Sequence, residues 1–131
     1  MKLEIGHTTH FSIREEQGKI PNVESCTIVH LSDLHLNNFS RKKVEKIIET
    51  IQKIKPDVIL LGGDYIDTKK GMNSFRLFLE FLSSQKNVVV IPGNHDYYYG
   101  IEKIKNEIKK AKLHWLENGE VSFTVNHTRF F

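Results

Sequence analysis

Apolar positions fall into two rhythms along the chain. Three short runs, "TIVHL" from Thr27, "DVILL" from Asp57 and "NVVVI" from Asn87, are rich in Val, Ile and Leu and show no clean polar alternation. Runs of this length and composition read as strands buried on both faces of a parallel sheet. Between them the rhythm becomes helical. Val44, Ile47, Ile48, Ile51 and Ile54 recur at three- and four-residue steps with charged residues opposite, Ser40 in place to cap the segment and Pro56 to end it. Phe75, Phe78, Leu79 and Leu82 repeat the pattern, with Ser74 as a candidate cap. Leu77 and Phe81 widen that stripe, which predicts packing on more than one neighbour. Ile101, Ile104, Ile108 and Ala111 mark a third amphipathic helix whose lysines form a solvated face. A strand–helix unit recurring about every thirty residues predicts an α/β fold of βαβ units with right-handed crossovers, a mostly parallel sheet with flanking helices.

The two ends follow the strand rhythm. "LEIGHTTHFSI" reads as one or two lead-in strands, and "VSFTVNHTRFF" as a strand, a tight turn at Asn126 and His127, and the start of another strand. That last strand stops at Phe131 with no turn, cap or polar tail, so residues 1–131 are expected to be one incomplete domain, the front part of something longer.

Composition narrows the class. In 131 residues, 39% are hydrophobic and 27% charged, which excludes collagen-like, disordered and disulfide-scaffold chains. A net charge of +3 is too mild for the dense Lys/Arg stripe of a nucleic-acid binder, yet it suits an anionic substrate such as a phosphate ester. Cys26 is the single cysteine, so no internal disulfide can form, and it reads as a small buried filler rather than a nucleophile. No apolar stretch approaches the ~20 residues that span a bilayer, and "MKLEIGHTTH" lacks the apolar core of a signal peptide. A soluble, cytoplasmic protein is the expectation.

The chemistry gathers at one recurring place. Asp33 and His35 follow the first strand, Asp64 follows the second after Gly62 and Gly63, and Asn94 and His95 follow the third after Pro92 and Gly93. In a parallel sheet those strand ends share one edge, the usual ligand position of open α/β folds. Carboxylate oxygens with imidazole nitrogens suit Mn, Fe or Zn ions better than Mg²⁺ or Ca²⁺. Without a cation, two carboxylates crowded in one crevice would repel until one took up a proton.

"DLH" at Asp33 to His35, "GGD" at Gly62 to Asp64 and "GNHD" at Gly93 to Asp96 together resemble the calcineurin-like metallophosphoesterases. The lead-in "TTHFSI" resembles a membrane-associated branch that includes UDP-diacylglucosamine hydrolases, which would imply peripheral contact with a membrane. The resemblance implies a dinuclear centre with two divalent metal ions. Asp33 and His35 would bind the first, Asp64 would bridge both and Asn94 would bind the second. His95 would face the scissile phosphate, and Asp96 would orient His95 by accepting from its other ring nitrogen. The implied fold is a four-layer sandwich of two sheets between helices, of which this chain supplies the βαβαβ half.

By motif the resemblance covers Thr27 to Asp96. The family's later metal histidine and G-H-x-H block do not follow, and His114 and His127 lack that context. "GHTTH" at Gly6 to His10 has one residue too many, so His7 and His10 read as polar positions on an opening strand, with a displaced metal role as the alternative. Two functions follow: a metal-dependent phosphohydrolase for phosphodiesters or pyrophosphates, or a non-catalytic metal- or partner-binding module that keeps the fold. In either case the uncovered sheet face is a candidate association surface. A Rossmann-type nucleotide site lacks its G-x-G-x-x-G, and "TKKG" at Thr68 to Gly71 lacks the spacing of a phosphate loop. His30 reads as a packed, hydrogen-bonded strand histidine and Trp115 as a dock for the last helix. Asp67 reads as a turn cap, with a role behind the ligands as the alternative. Tyr97, Tyr98 and Tyr99 read as packing at the start of a helix, with at least one ring lining the substrate crevice as the alternative.

Overall fold

The computed structural model describes residues 11–131 and the backbone of Lys2–Ile5. His7 and His10 lie outside the described residues. Strands β1 (Lys2–Ile5), β2 (Phe11–Arg14), β3 (Ile28–Ser32), β4 (Val58–Leu61), β5 (Val88–Val90) and β6 (His114–Trp115) form one sheet in the order β2-β1-β3-β4-β5-β6. From β1 through β6 every pairing is parallel except that of the edge strand β2, which runs antiparallel to β1. The three apolar runs are β3, β4 and β5, three adjacent interior strands, as their composition predicts.

Helices α1 (Arg41–Ile54) and α2 (Gly71–Ser83) fill the first two crossovers, and α3 (Asn94–Tyr99) with α4 (Ile101–Lys110) fills the third. Because β3, β4, β5 and β6 advance across the sheet in one direction, right-handed crossovers place all these helices on one face. The core shows this. Val29, Leu31, Ile59, Leu61, Val88 and Val90 of the sheet join Val44, Ile47 and Ile51 of α1, Phe75, Phe78, Leu79 and Leu82 of α2, and Ile104 and Ile108 of α4. Each such side chain, fully buried, contributes about 1.5–3 kcal/mol relative to exposure. The alternate positions Ile28, His30 and Leu60 stay half-buried. Burial on both faces therefore holds for β5 but not for β3 or the middle of β4, because no helix among the described residues covers the second face. His30 sits on that face against Gly62 rather than in the core.

Three local expectations change. Ser40 does precede α1, but its hydroxyl accepts from the Asn37 N–H at 2.8 Å and makes no cap bond, so it closes the preceding turn instead. Ser74 lies buried inside α2, which begins at Gly71. Gly71 packs so closely on Leu36 that a Cβ there would collide with the Leu36 carbonyl, so this loop contact sets the helix start. Trp115 does dock α4, with Lys105 Nζ 5.6 Å from its ring centroid, but it does so from the short strand β6.

The chain closes in the hairpin β7 (Phe123–Val125) and β8 (Thr128–Phe130), turned at Asn126 and His127 as expected. Asn126 donates its side-chain amide to the Ser25 carbonyl at 3.0 Å, tying the hairpin to the segment before β3. Cys26 is half-buried, and burial followed by the charge of Asp57 raises its thiol pKa. Among the described residues no helix is long and apolar enough to cross a membrane.

Candidate metal centre

Asp33, His35 and Asp64 all adopt left-handed backbone, with φ of 56°, 44° and 57°. That region costs an L-residue roughly 1–2 kcal/mol, and Asp, Asn and His enter it most readily. Strain recurring at the three polar residues that follow β3 and β4 is a mark of a functional edge. Backbone bonds between the two loops hold it in place. Asp33 N–H donates to Gly63 O at 3.0 Å, His35 N–H to Asp64 O at 3.0 Å, and Leu36 N–H to Tyr65 O at 2.8 Å. The loops thus go on pairing beyond the strands that feed them, as far as a parallel bridge between Leu36 and Ile66.

The third loop is locked to the second by contact and by one carboxylate. Gly63, at φ 95°, lies against the backbone of Gly93, and a Cβ on either would collide with the opposite loop. Asp96 is fully buried. Its Oδ2 accepts from the N–H groups of Asp64 at 2.9 Å and Gly93 at 2.8 Å, and its Oδ1 accepts from Tyr65 N–H at 2.9 Å. Burial pushes its carboxyl pKa up, and the three amides partly offset this. The expectation that Asp96 accepts from the His95 ring is not what the geometry shows. As the third residue of α3 it turns back to the helix start, as an acid in that position commonly does, and there meets the amides of the neighbouring loop.

Tyr65 supports the same junction and escaped the sequence reading. It is fully buried, its hydroxyl accepting from Gly63 N–H at 3.1 Å and lying 2.5 Å from the Ile91 carbonyl. Burial, then the charge of Asp96, raises its pKa well above the ordinary phenol value. Its place directly after "GGD" was the available signal. Lys43 was also missed. Its ammonium reaches from the polar-looking face of α1 under the first loop to the Leu34 carbonyl at 2.7 Å.

On this frame the donors converge. Asp33, His35 and Asp64 offer ligand atoms all within 4.8 Å of one another, and His35, Asp67 and His95 form a second such group. His35 is buried, its Nδ1 2.6 Å from Asp67 Oδ1 and its Nε2 3.8 Å from Asp33 Oδ1. Asp67 therefore does for His35 what was expected of Asp96 for His95. Asp64 Oδ1 accepts from the backbone N–H of His95 at 2.9 Å. The exposed His95 ring meets His35 edge-on, with centroids 5.0 Å apart. Asn94 is the exposed first residue of α3, beside Gly93. His114 and His127 are exposed, on β6 and in the hairpin, and belong to neither donor group.

The sequence profile of the calcineurin-like phosphoesterases matches residues 26–128, a stretch holding every strand-end donor just described. The chain belongs to this family. An uncharacterized metallophosphoesterase of Helicobacter pylori is 36% identical over 93 residues, covering 70% of this chain and 25% of that protein. The uncharacterized metallophosphoesterase YkoQ of Bacillus subtilis is 32% identical over 122 residues, 90% of this chain and 43% of its own length. A UDP-2,3-diacylglucosamine pyrophosphatase, LpxG of Chlamydia muridarum, is 32% identical over 82 residues, 60% of this chain and 25% of its own. The chain thus spans between a quarter and somewhat under half of these relatives. As a calcineurin-like phosphoesterase it is a metal-binding type of protein, and the family implies divalent ions where the donors converge.

Beside this centre lies a cleft of about 420 Å³ whose wall includes His95, Tyr98 and Tyr99. Two of the three tyrosines therefore line a crevice next to the donors. Tyr97 instead donates its hydroxyl to Glu117 at 2.5 Å, which ties α3 to the segment after β6.

Proposed function

We propose that this chain carries the metal-binding half of a phosphohydrolase that cleaves phosphodiesters or pyrophosphates. The observation behind this reading is the left-handed trio Asp33, His35 and Asp64, strained into one group with ligand atoms within 4.8 Å. The donor set fits divalent ions well. It mixes oxygen and imidazole nitrogen, which favours Mn, Fe or Zn, and it crowds carboxylates that a cation would reconcile. Asp33 and His35 would hold one ion, Asp64 would be shared, and Asn94 would serve the second. Bound there, two cations would neutralise the phosphate and generate the nucleophile from water at neutral pH.

The chain's own residues do the rest. With His35 Nδ1 donating its proton to Asp67, Nε2 would offer its lone pair to an ion. Asp64 and Asp96 anchor the amides of the third loop, so His95 presents its exposed ring from a fixed backbone. From there it can stabilise charge on the phosphate or protonate the departing oxygen. The half-buried sheet face carrying Ile28, His30 and Leu60 would receive further structure or a partner. Cytoplasmic residence with peripheral membrane contact accords with the single cysteine and the mild positive charge.

The test is Mn²⁺-dependent hydrolysis of bis-p-nitrophenyl phosphate by the full-length gene product. Asp64→Asn is expected to lower the rate by about 100-fold or more, since even the groups behind metal ligands are worth 10–100-fold. Equal rates for the two proteins would overturn the reading. A second reading, a metal-binding module without turnover, draws on the placement of His114 and His127 away from the donors. Near-stoichiometric metal by elemental analysis, with no hydrolysis, would favour it. Tight binding of two ions would count against it.

A further inference from the structure

The cleft beside His95 has a charge balance that the metal centre does not explain. Lys69, from the loop after Asp67, and Lys103, from α4, both line it. Three other lysines, on α1 and α4, are engaged. Lys105 pairs with Glu117 at 2.8 Å, Lys110 with Glu107 at 2.9 Å, and Lys43 donates to a carbonyl. Among the described residues, Lys69 and Lys103 have no carboxylate partner. The carboxylate on the cleft wall, Asp67, is held by His35 at 2.6 Å. Two lysines from separate elements thus line one crevice beside the donor groups, neither of them paired with the Asp67 carboxylate on the same wall. An anion bound in the cleft can accept charge-assisted hydrogen bonds from both.

From this we infer that Lys69 and Lys103 form a second anion site, which selects substrates carrying a further phosphate on the leaving-group side of the scissile bond. The inference rests on the phosphohydrolase reading for the scissile phosphate, which would sit on the metal donors with His95 between the two sites. In such a substrate the oxygen of water joins the attacked phosphorus, and the bond from that phosphorus to the bridging oxygen breaks. The bridging oxygen departs with the second phosphate, whose growing charge the two lysines take up. His95, on the same wall, supplies the proton where the leaving oxygen needs one.

The full-length gene product, with Mn²⁺, is assayed on diadenosine diphosphate, which has adjacent phosphates, and on bis-p-nitrophenyl phosphate, which has one. For the Lys69→Gln/Lys103→Gln variant, kcat/KM on diadenosine diphosphate is expected to fall about 30-fold, while the rate on bis-p-nitrophenyl phosphate changes less than about twofold. Equal losses on both substrates, or no loss on either, would overturn the site. A separate readout is calorimetric binding of ADP and AMP to the same proteins without added metal. Wild type is expected to prefer ADP by about tenfold, and the double variant to lose that preference. If wild type hydrolyses neither substrate but shows this difference, the phosphohydrolase reading falls and the anion site stands. A preference for ADP that survives both substitutions removes the site, whatever the hydrolysis shows.

Discussion

Left-handed residues occur at both ends of the sheet, and the two sets differ in what they need from the side chain. At the amino edge Lys55, at φ 51°, ends α1 and donates its N–H to Ile51 O at 2.9 Å, and Lys112, at φ 56°, follows α4 and donates to Lys109 O at 2.9 Å. There the backbone conformation itself is what the structure uses, and glycine is the residue nature most often puts in such a cap. At the carboxyl edge Asp33, His35 and Asp64 share the same region of φ, but their carboxylates and imidazole are what the bend delivers. The strain is similar at the two edges. At Lys55 and Lys112 the side chain has no part in it, whereas at the carboxyl edge residue identity justifies it.

The junction that holds the strained edge in place is the most sensitive point of the comparison. Asp96→Ala would leave the amides of Asp64, Tyr65 and Gly93 without their acceptor, and the full-length protein is expected to lose about 3 kcal/mol or more in urea unfolding. A loss under about 1 kcal/mol would mean that the carboxyl edge is no more tightly braced than the amino edge. Next in size is Asp67→Asn, which removes the charge behind His35 and is expected to weaken metal binding about 10–100-fold by calorimetric titration. Unchanged affinity would make Asp67 a loop residue like its neighbours.

The smallest effect comes from a matched pair. Lys55→Gly and Asp33→Gly each relieve a left-handed residue, and each is expected to stabilise the metal-free protein by about 1 kcal/mol. Only Asp33→Gly should also lose metal. Destabilisation by Asp33→Gly in the absence of metal would show that its side chain supports the fold directly, and the contrast between the edges would fail.

Much of this was legible in the order of residues. β3, β4, β5, α1 and α4 followed from hydrophobic spacing, because each buries one continuous stripe or run. The start of α2 did not, because close contact between Gly71 and Leu36 sets it, a tertiary effect. β6, with two residues, is too short to leave a periodic trace. The donors were legible because polar residues directly after buried strands stand out. Their supports were harder to read. Lys43 looks like any lysine on a solvated helix face until the fold brings it under Leu34. Asp96 adjoins His95 in sequence, but helix-start geometry turns it toward amides on another loop.

The one-directional advance of β3, β4, β5 and β6 has a consequence in time. Each strand–helix unit settles on the unit made just before it, so most contacts form with short loop closures while the chain lengthens. Asp33, His35 and Asp64 leave the ribosome early, yet the carboxylate that fixes their loops arrives only after β5 has been made. The edge that would receive an ion is therefore braced only late in the synthesis of this segment.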